Sequence, residues 1–216
     1  MNRKMPRILT LEKIPRKKGW FTLILDNAYS FVVNDELIIK HALRPERVLT
    51  KPEIEQIKSE GEYLFLRAKA FDILSRRRVS EKELERKLKF TKIYGKHFPR
   101  VIANLKDLGL IDDSGYATSF IHTALMGGPK SKALIRRKLL QKGISEEIAQ
   151  KAIEQELGDY DEKEAALSIA KKKYKSVKQL PTLKAKQRVA DFLRSRGFSW
   201  SNINYCLAKL FKADED

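Results

Sequence analysis

The chain has 216 residues, enough to bury a sizeable core as one large or two small domains. Lys and Arg number 45 against 28 Asp and Glu, a formal charge of +17 that favours a polyanionic partner or an acidic protein surface. No apolar run is long enough to span a bilayer, no signal-peptide core opens the chain, and a single cysteine, Cys206, excludes an internal disulfide.

Residues 7 to 33 differ from everything after them. Ile8–Ile14, Trp20–Leu25 and Tyr29–Val33 are short runs rich in β-branched and aromatic residues, punctuated by Pro15–Gly19 and Asp26-Asn27. They predict an antiparallel three-stranded meander, which is marginal alone and must lean on a neighbour. Arg16, Lys17 and Lys18 make its first turn a basic tip. A short helix is predicted over Asp35–Leu43. Thr50-Lys51-Pro52-Glu53 then opens a long helix: Thr50 caps, Glu53 completes a capping box, and proline is tolerated in the first turn. Ile54, Ile57, Leu64, Phe65, Ala68 and Phe71 carry its apolar stripe to about Ser75. Ser80–Glu83 is a second capping box, followed by Leu84 and Leu88, and a third helix is predicted over His97–Leu108.

The stretch GLIDDSGYATSFI at 109–121 is a helix-to-helix corner. Gly109 ends one helix, Asp113 or its neighbour caps the next, and Tyr116 and Phe120 lie four apart on one face, ready to bury. Beyond it the pattern recurs. Leu84 and Leu88 match Ile135 and Leu139, each 51 residues on, and then Val189 and Leu193, each 54 further. Phe98, Val101 and Ile102 match Ala149, Ala152 and Ile153, then Ile203, Cys206 and Leu207. Gly143-Ile144-Ser145 matches Gly197-Phe198-Ser199, and the leading helices align as Phe65–Leu74, Tyr116–Leu125 and Ala165–Tyr174. Charged identities drift while apolar spacing persists, as a packing repeat requires. The reading is a mostly α protein: three tandem three-helix repeats forming a curved array, behind a small N-terminal β-meander. Its segments are 1–50 (meander and short helix), 51–111, 112–158 and 159–216.

No reaction centre is apparent. His41, His97 and His122 are far apart and lack partners at metal-ligand spacing, and they read as surface or satisfied structural residues. Capping accounts for Asp112 and Asp113. Gly127-Gly128-Pro129-Lys130 lacks the phosphate-loop frame and follows a helix, so it reads as a flexible break. Cys206 sits among Ile203, Leu207 and Leu210 as a buried thiol. We expect no catalytic residues, no metal site and no cofactor.

The positive charge is more informative. Arg76, Arg77 and Arg78 end one leading helix, and Lys171–Lys173 another, where cations complement the helix dipole. Arg136, Arg137 and Lys138 fall inside a helix between the inward pair Ile135 and Leu139, where no dipole accounts for them. With Lys130, Lys132 and Lys142 they suggest a contact surface on the middle repeat. The candidate partner-binding or DNA-binding residues are therefore Arg76, Arg77, Arg78, Lys132, Arg136, Arg137, Lys138 and Lys142. Aromatic residues lie mostly on the apolar stripes, and no stacking platform for bases is evident.

Four motifs in order, RVSEKELERKL at 78–88, GLIDDSGYATSFI at 109–121, LIRRKLLQKGIS at 134–145 and DFLRSRGFS at 191–199, resemble the RecX family of bacterial recombinase regulators. The segments FVVNDELIIKHAL at 31–43 and LTKPEIEQI at 49–57 are similar to the N-terminal extension of its longer members. Two features depart from the family pattern. Gly127-Gly128-Pro129 replaces a shorter glycine-containing link, and Lys92 stands where the other repeats have Gly143 and Gly197. The resemblance implies a cytoplasmic, non-enzymatic protein without a membrane partner or small-molecule substrate. Its implied partner is the RecA–DNA filament, bound in the helical groove, and its implied effect is to inhibit extension, ATP hydrolysis and strand exchange in recombination and DNA repair. The residues by themselves leave open a second reading, a basic module that acts directly on DNA.

Overall fold

The computed structural model describes residues 5–211. Three strands, β1 (Ile8–Lys13), β2 (Trp20–Leu25) and β3 (Ser30–Asn34), form an antiparallel sheet with β2 in the centre. A register shift between Ile8 and Thr10 marks a bulge in β1. Ile8, Leu23, Leu25, Phe31 and Val33 are all buried on the sheet's inner layer. Asn34 then caps α1 (Asp35–Lys40), its side-chain oxygen accepting the Leu37 N–H at 3.1 Å. This helix is shorter than the predicted 35–43, because Ala42 turns left-handed at φ 44°.

The long helix α2 (Lys51–Leu74) has the predicted capping box, with both Thr50–Glu53 bonds present. Its inward face differs from the predicted stripe. The buried residues are Ile54, Ile57, Gly61, Leu66 and Ala70, while Leu64, Phe65, Ala68 and Phe71 are half-buried. Two partners cause the step round. Ile54 and Ile57 join the sheet core, whereas Leu66 and Ala70 join a separate core with the next two helices. Gly61 is required where the sheet presses closest, since a Cβ there would stand 2.0 Å from the Val32 carbonyl oxygen.

Eight helices follow: α3 (Glu81–Leu88), α4 (Tyr94–Asp107), α5 (Asp113–Met126), α6 (Lys132–Gln141), α7 (Glu146–Leu157), α8 (Glu162–Lys175), α9 (Thr182–Ser195) and α10 (Trp200–Phe211). Helix α4 starts three residues before the predicted His97, which places Pro99 inside it. Most of the matched apolar positions are buried in every repeat, with Leu207 half-buried where Ile102 and Ile153 are buried. Leu66, Ala117 and Ala166 are fully buried, as are Ala70, Ile121 and Ala170, and likewise Leu84, Ile135 and Val189. In α5 the buried residues are Ala117 and Ile121. Tyr116 and Phe120, expected to bury, are half-buried instead and stack on each other at 6.5 Å between ring centroids.

Each set of three helices closes its own core: α2 to α4 around Leu66, Leu88 and Leu105, α5 to α7 around Ile121, Ile135 and Leu139, and α8 to α10 around Val189, Leu193 and Ile203. By contact density the chain forms two compact units. The first holds residues up to Val79 with Leu84–Ile111, and the second holds Ser80–Glu83 with Asp112 onward.

Candidate interaction surface

Inside the second unit one kind of joint occurs twice, and it sets where the basic residues stand. Ser80 and Ser131, 51 residues apart, are buried caps of α3 and α6. The Ser80 hydroxyl accepts the Glu83 N–H at 3.2 Å and donates to the Lys142 carbonyl. Ser131 accepts the Leu134 N–H at 3.0 Å, and its own N–H donates to the Arg196 carbonyl at 3.1 Å. The next N–H in each helix finds a carboxylate: Glu81 donates to Asp113 at 2.9 Å, and Lys132 donates to Glu162 at 2.6 Å. Asp112 meanwhile caps α5, accepting the Gly115 N–H at 3.0 Å, so the two adjacent aspartates serve two different helices.

The glycines complete the joint. Gly143 and Gly197 have φ of 88° and 84°, and a Cβ on either would lie 2.5 Å from the Cβ of Lys82 or Leu134 respectively. Lys92, their counterpart in the first repeat, is exposed and has no left-handed backbone. Without the left-handed backbone a side chain is tolerated there. The segment Gly127–Lys130, read from sequence as a flexible break, is pinned beside the same joint. Arg196 Nη1 donates to the Gly127 carbonyl at 2.6 Å, Tyr160 donates to the Lys130 carbonyl at 3.1 Å, and Lys130 Nζ caps the end of α5 at the Ala124 carbonyl.

Of the eight candidate residues, Arg136, Arg137 and Lys138 are exposed on α6 as its periodicity requires. Arg136 is compensated by Glu146 at 2.5 Å, which leaves Arg137 and Lys138 as the outward cations. Lys132 is half-buried, with its Nζ 3.4 Å from the Gly158 carbonyl, and Lys142 is a half-buried helix end. Arg76, Arg77 and Arg78 are exposed but follow α2, which ends at Leu74 with no basic residue in its last turn. They belong to the α2–α3 loop in the first unit, whereas the α6 cluster belongs to the second.

Two residues outside the eight candidates stand with the α6 cations: Lys130, which the sequence already grouped with them, and Arg196, which it did not. Burial first, and then the nearby Arg196 and Lys138, hold the Lys130 ammonium below the usual lysine range. Lys130 and Arg196 reach the adjacent Gly128 and Gly127 carbonyls at 3.3 and 2.6 Å, and with Lys138 near Lys130 they share one positive region drawn from α6 and two loops. Arg196 is the repeat counterpart of Lys142, 54 residues on, and that spacing was the available signal for it.

The histidines are structural partners of carboxylates. His97 is buried against Glu62 at 3.0 Å, His41 meets Glu60 at 3.3 Å, and His122 meets Glu156 at 2.6 Å. Among the described residues no three His, Cys, Asp or Glu side chains come together as metal ligands. Burial pushes the Cys206 thiol up from its ordinary value, away from nucleophilic use. No helix among the described residues is long and apolar enough to cross a membrane.

Comparison with known proteins gives one consistent result. Residues 112–153 match the family model for the second three-helix domain of RecX, and residues 160–207 match that for the third. The chain is 31% identical to the regulatory protein RecX of Clostridium acetobutylicum over 94% of its own length and 96% of that protein's. It is 30% identical to the RecX of Streptococcus agalactiae serotype V over 94% of its length and 77% of the relative's. A crystal structure of regulatory protein RecX superposes with a TM-score of 0.63 at 26% identity, covering 96% of this chain and 99% of that one. The crystal structure of RecX from Lactobacillus salivarius gives 0.58 at 26% identity over 69% and 96%.

Proposed function

The chain belongs to the RecX family of regulatory proteins, and on that premise we propose that it binds the RecA–DNA filament and inhibits filament extension, ATP hydrolysis and strand exchange. It acts as a non-enzymatic regulator of recombination and DNA repair in the cytoplasm. The observation that carries this reading is the α6 surface, where Arg137 and Lys138 are exposed beside Lys130 and Arg196. A cationic face on a repeat scaffold suits a partner that combines protein subunits with phosphates. We take 51–111, 112–158 and 159–216 as the three repeats presented to that partner, with 1–50 as the N-terminal extension.

The competing reading is a basic module that coats DNA, since polycations bind DNA at low salt whatever their purpose. Stoichiometry separates the two. A filament regulator can block a growing end, so one copy stops many additions. We expect inhibition of DNA-dependent recombinase ATPase activity at far fewer than one copy per recombinase subunit. Inhibition that instead rises in proportion to naked strand covered would favour the coating module and overturn the regulator.

A further inference from the structure

Phe192 lies on α9 next to the buried Val189 and Leu193, yet its own ring is half-buried. Two cations from different elements stand over that ring. Arg196 Cζ is 5.1 Å from its centroid and Lys173 Nζ is 5.8 Å from it. Arg196 is fixed in place by its 2.6 Å bond to the Gly127 carbonyl, whereas Lys173 comes from the last turn of α8 at the looser distance. Beyond Arg196 the positive region continues. Arg196 and Lys138 both raise the potential felt by Lys130, whose ammonium is held below its usual range by burial and by these two neighbours. The adjacent carboxylate, Asp191, is satisfied by Arg194 at 2.7 Å.

This arrangement is more than a cationic patch. Phosphates need only positive charge, but a half-buried aromatic ring with two cations near it offers a flat apolar face within a region that attracts polyanions. Every base has a π-face, and base-on-aromatic stacking is the sequence-tolerant contact of single-strand binders. A duplex hides its base faces, so the ring gains nothing from one.

We propose that Phe192 is a stacking platform for one base of a single-stranded nucleic acid whose phosphates run along Arg196 and Lys138. The strand enters by displacing the loosely held Lys173 ammonium, which then turns to a phosphate. Arg196, anchored at the joint, keeps its place beside the ring. The inference rests on the reading that this face of the second unit meets a nucleoprotein filament, and it names the strand as what the face touches.

The test uses the full chain with two fluorescent strands of equal length, an oligothymidylate and an abasic strand. Phe192→Leu keeps apolar burial but removes the π-face, and Phe192→Trp restores one. Phe192→Leu is expected to weaken oligothymidylate binding by about 5-fold to 100-fold, to leave abasic-strand binding unchanged, and to be rescued by Phe192→Trp. Lys173→Gln is expected to weaken both strands and to flatten the log–log salt dependence by about 0.7. Equal binding of oligothymidylate by Phe192→Leu and wild type would overturn the platform. So would an equal loss on both strands, which marks a packing defect, and so would a wild-type protein that binds recombinase subunits but neither strand. Filament ATPase inhibition is measured in parallel. Inhibition that persists without any strand binding defeats the platform and spares the regulator, while its absence in the wild type defeats the regulator itself.

Discussion

Gly197 shows how one residue can be fixed by two separate constraints. Its φ of 84° disfavours any side chain, and a Cβ would meet both Leu134 Cβ at 2.5 Å and Ser131 Oγ at 2.6 Å. Gly197→Ala should therefore lower stability by more than the 1–2 kcal/mol or so that left-handed backbone costs alone, as chemical denaturation will report. Glu60 is a second residue whose surroundings dictate its behaviour. A hydrogen bond from Lys40 at 2.9 Å, aided by Gln56 and His41 and opposed by burial, brings its carboxyl down from 4.5 to about 2. A depressed folded pKa gives stability that is fully present above the unfolded value and is lost as pH falls through the folded one. The stability advantage of wild type over Glu60→Gln should thus hold at neutral pH, shrink from about pH 4.5 downward, and vanish near pH 2. An advantage independent of pH across that window would show that the carboxylate's charge is not what the site uses.

At the scale of elements, the second helix of each repeat carries a shared inward position. Leu88, Leu139 and Leu193 are all buried to within 1% exposure, each in its own core. Truncation of any of them to Ala should cost about 2–5 kcal/mol, measured by urea unfolding. A value below 1 kcal/mol for one of them would mean that its repeat relaxes around the cavity as the others do not. The outward side of α6 has the opposite character. Arg137 and Lys138 are exposed while Arg136 pairs with Glu146, so two charges are available to a partner. The double change Arg137→Gln, Lys138→Gln should leave thermal stability nearly unchanged and flatten the salt dependence of single-strand binding by about 1.4, at about 0.7 for each lost contact. An unchanged slope would move the contact to another cationic element, with the Arg76–Arg78 loop as the first to test.

For the whole molecule, charge and architecture have to be weighed together. A net +17 draws any polyanion at low salt, so low-salt binding says little about purpose. Near physiological ionic strength screening extends only about 8 Å, and long-range attraction fades while fitted contacts persist. We therefore expect preference for preformed filament over naked single strand to survive at that salt, in titrations at matched ionic strength. Loss of the preference there would leave only the polycation behaviour. The three-helix cores offer a reason for it to survive, because each closes locally and leaves its outer helix surfaces for the partner.

The sequence by itself determined the helices and their repeat. Apolar spacing and capping residues act within a few positions, so Thr50 with Glu53 or Leu84 with Leu88 could be read directly. Local signals also carry local ambiguity. They placed Phe65 and Phe71 on the inner face of α2, which turns instead toward Leu66 and Ala70 because the sheet and the helices claim different sides. Tertiary structure alone decided the joints. Ser131 against Arg196, and Lys132 against Glu162, are contacts across 65 and 30 residues whose partners no local pattern announces. The same long-range packing brought Lys173, Phe192, Arg196, Lys130 and Lys138 into one region. Charge along a chain is countable, but a binding face depends on which cations the fold sets side by side and which it spends on its own carbonyls and carboxylates.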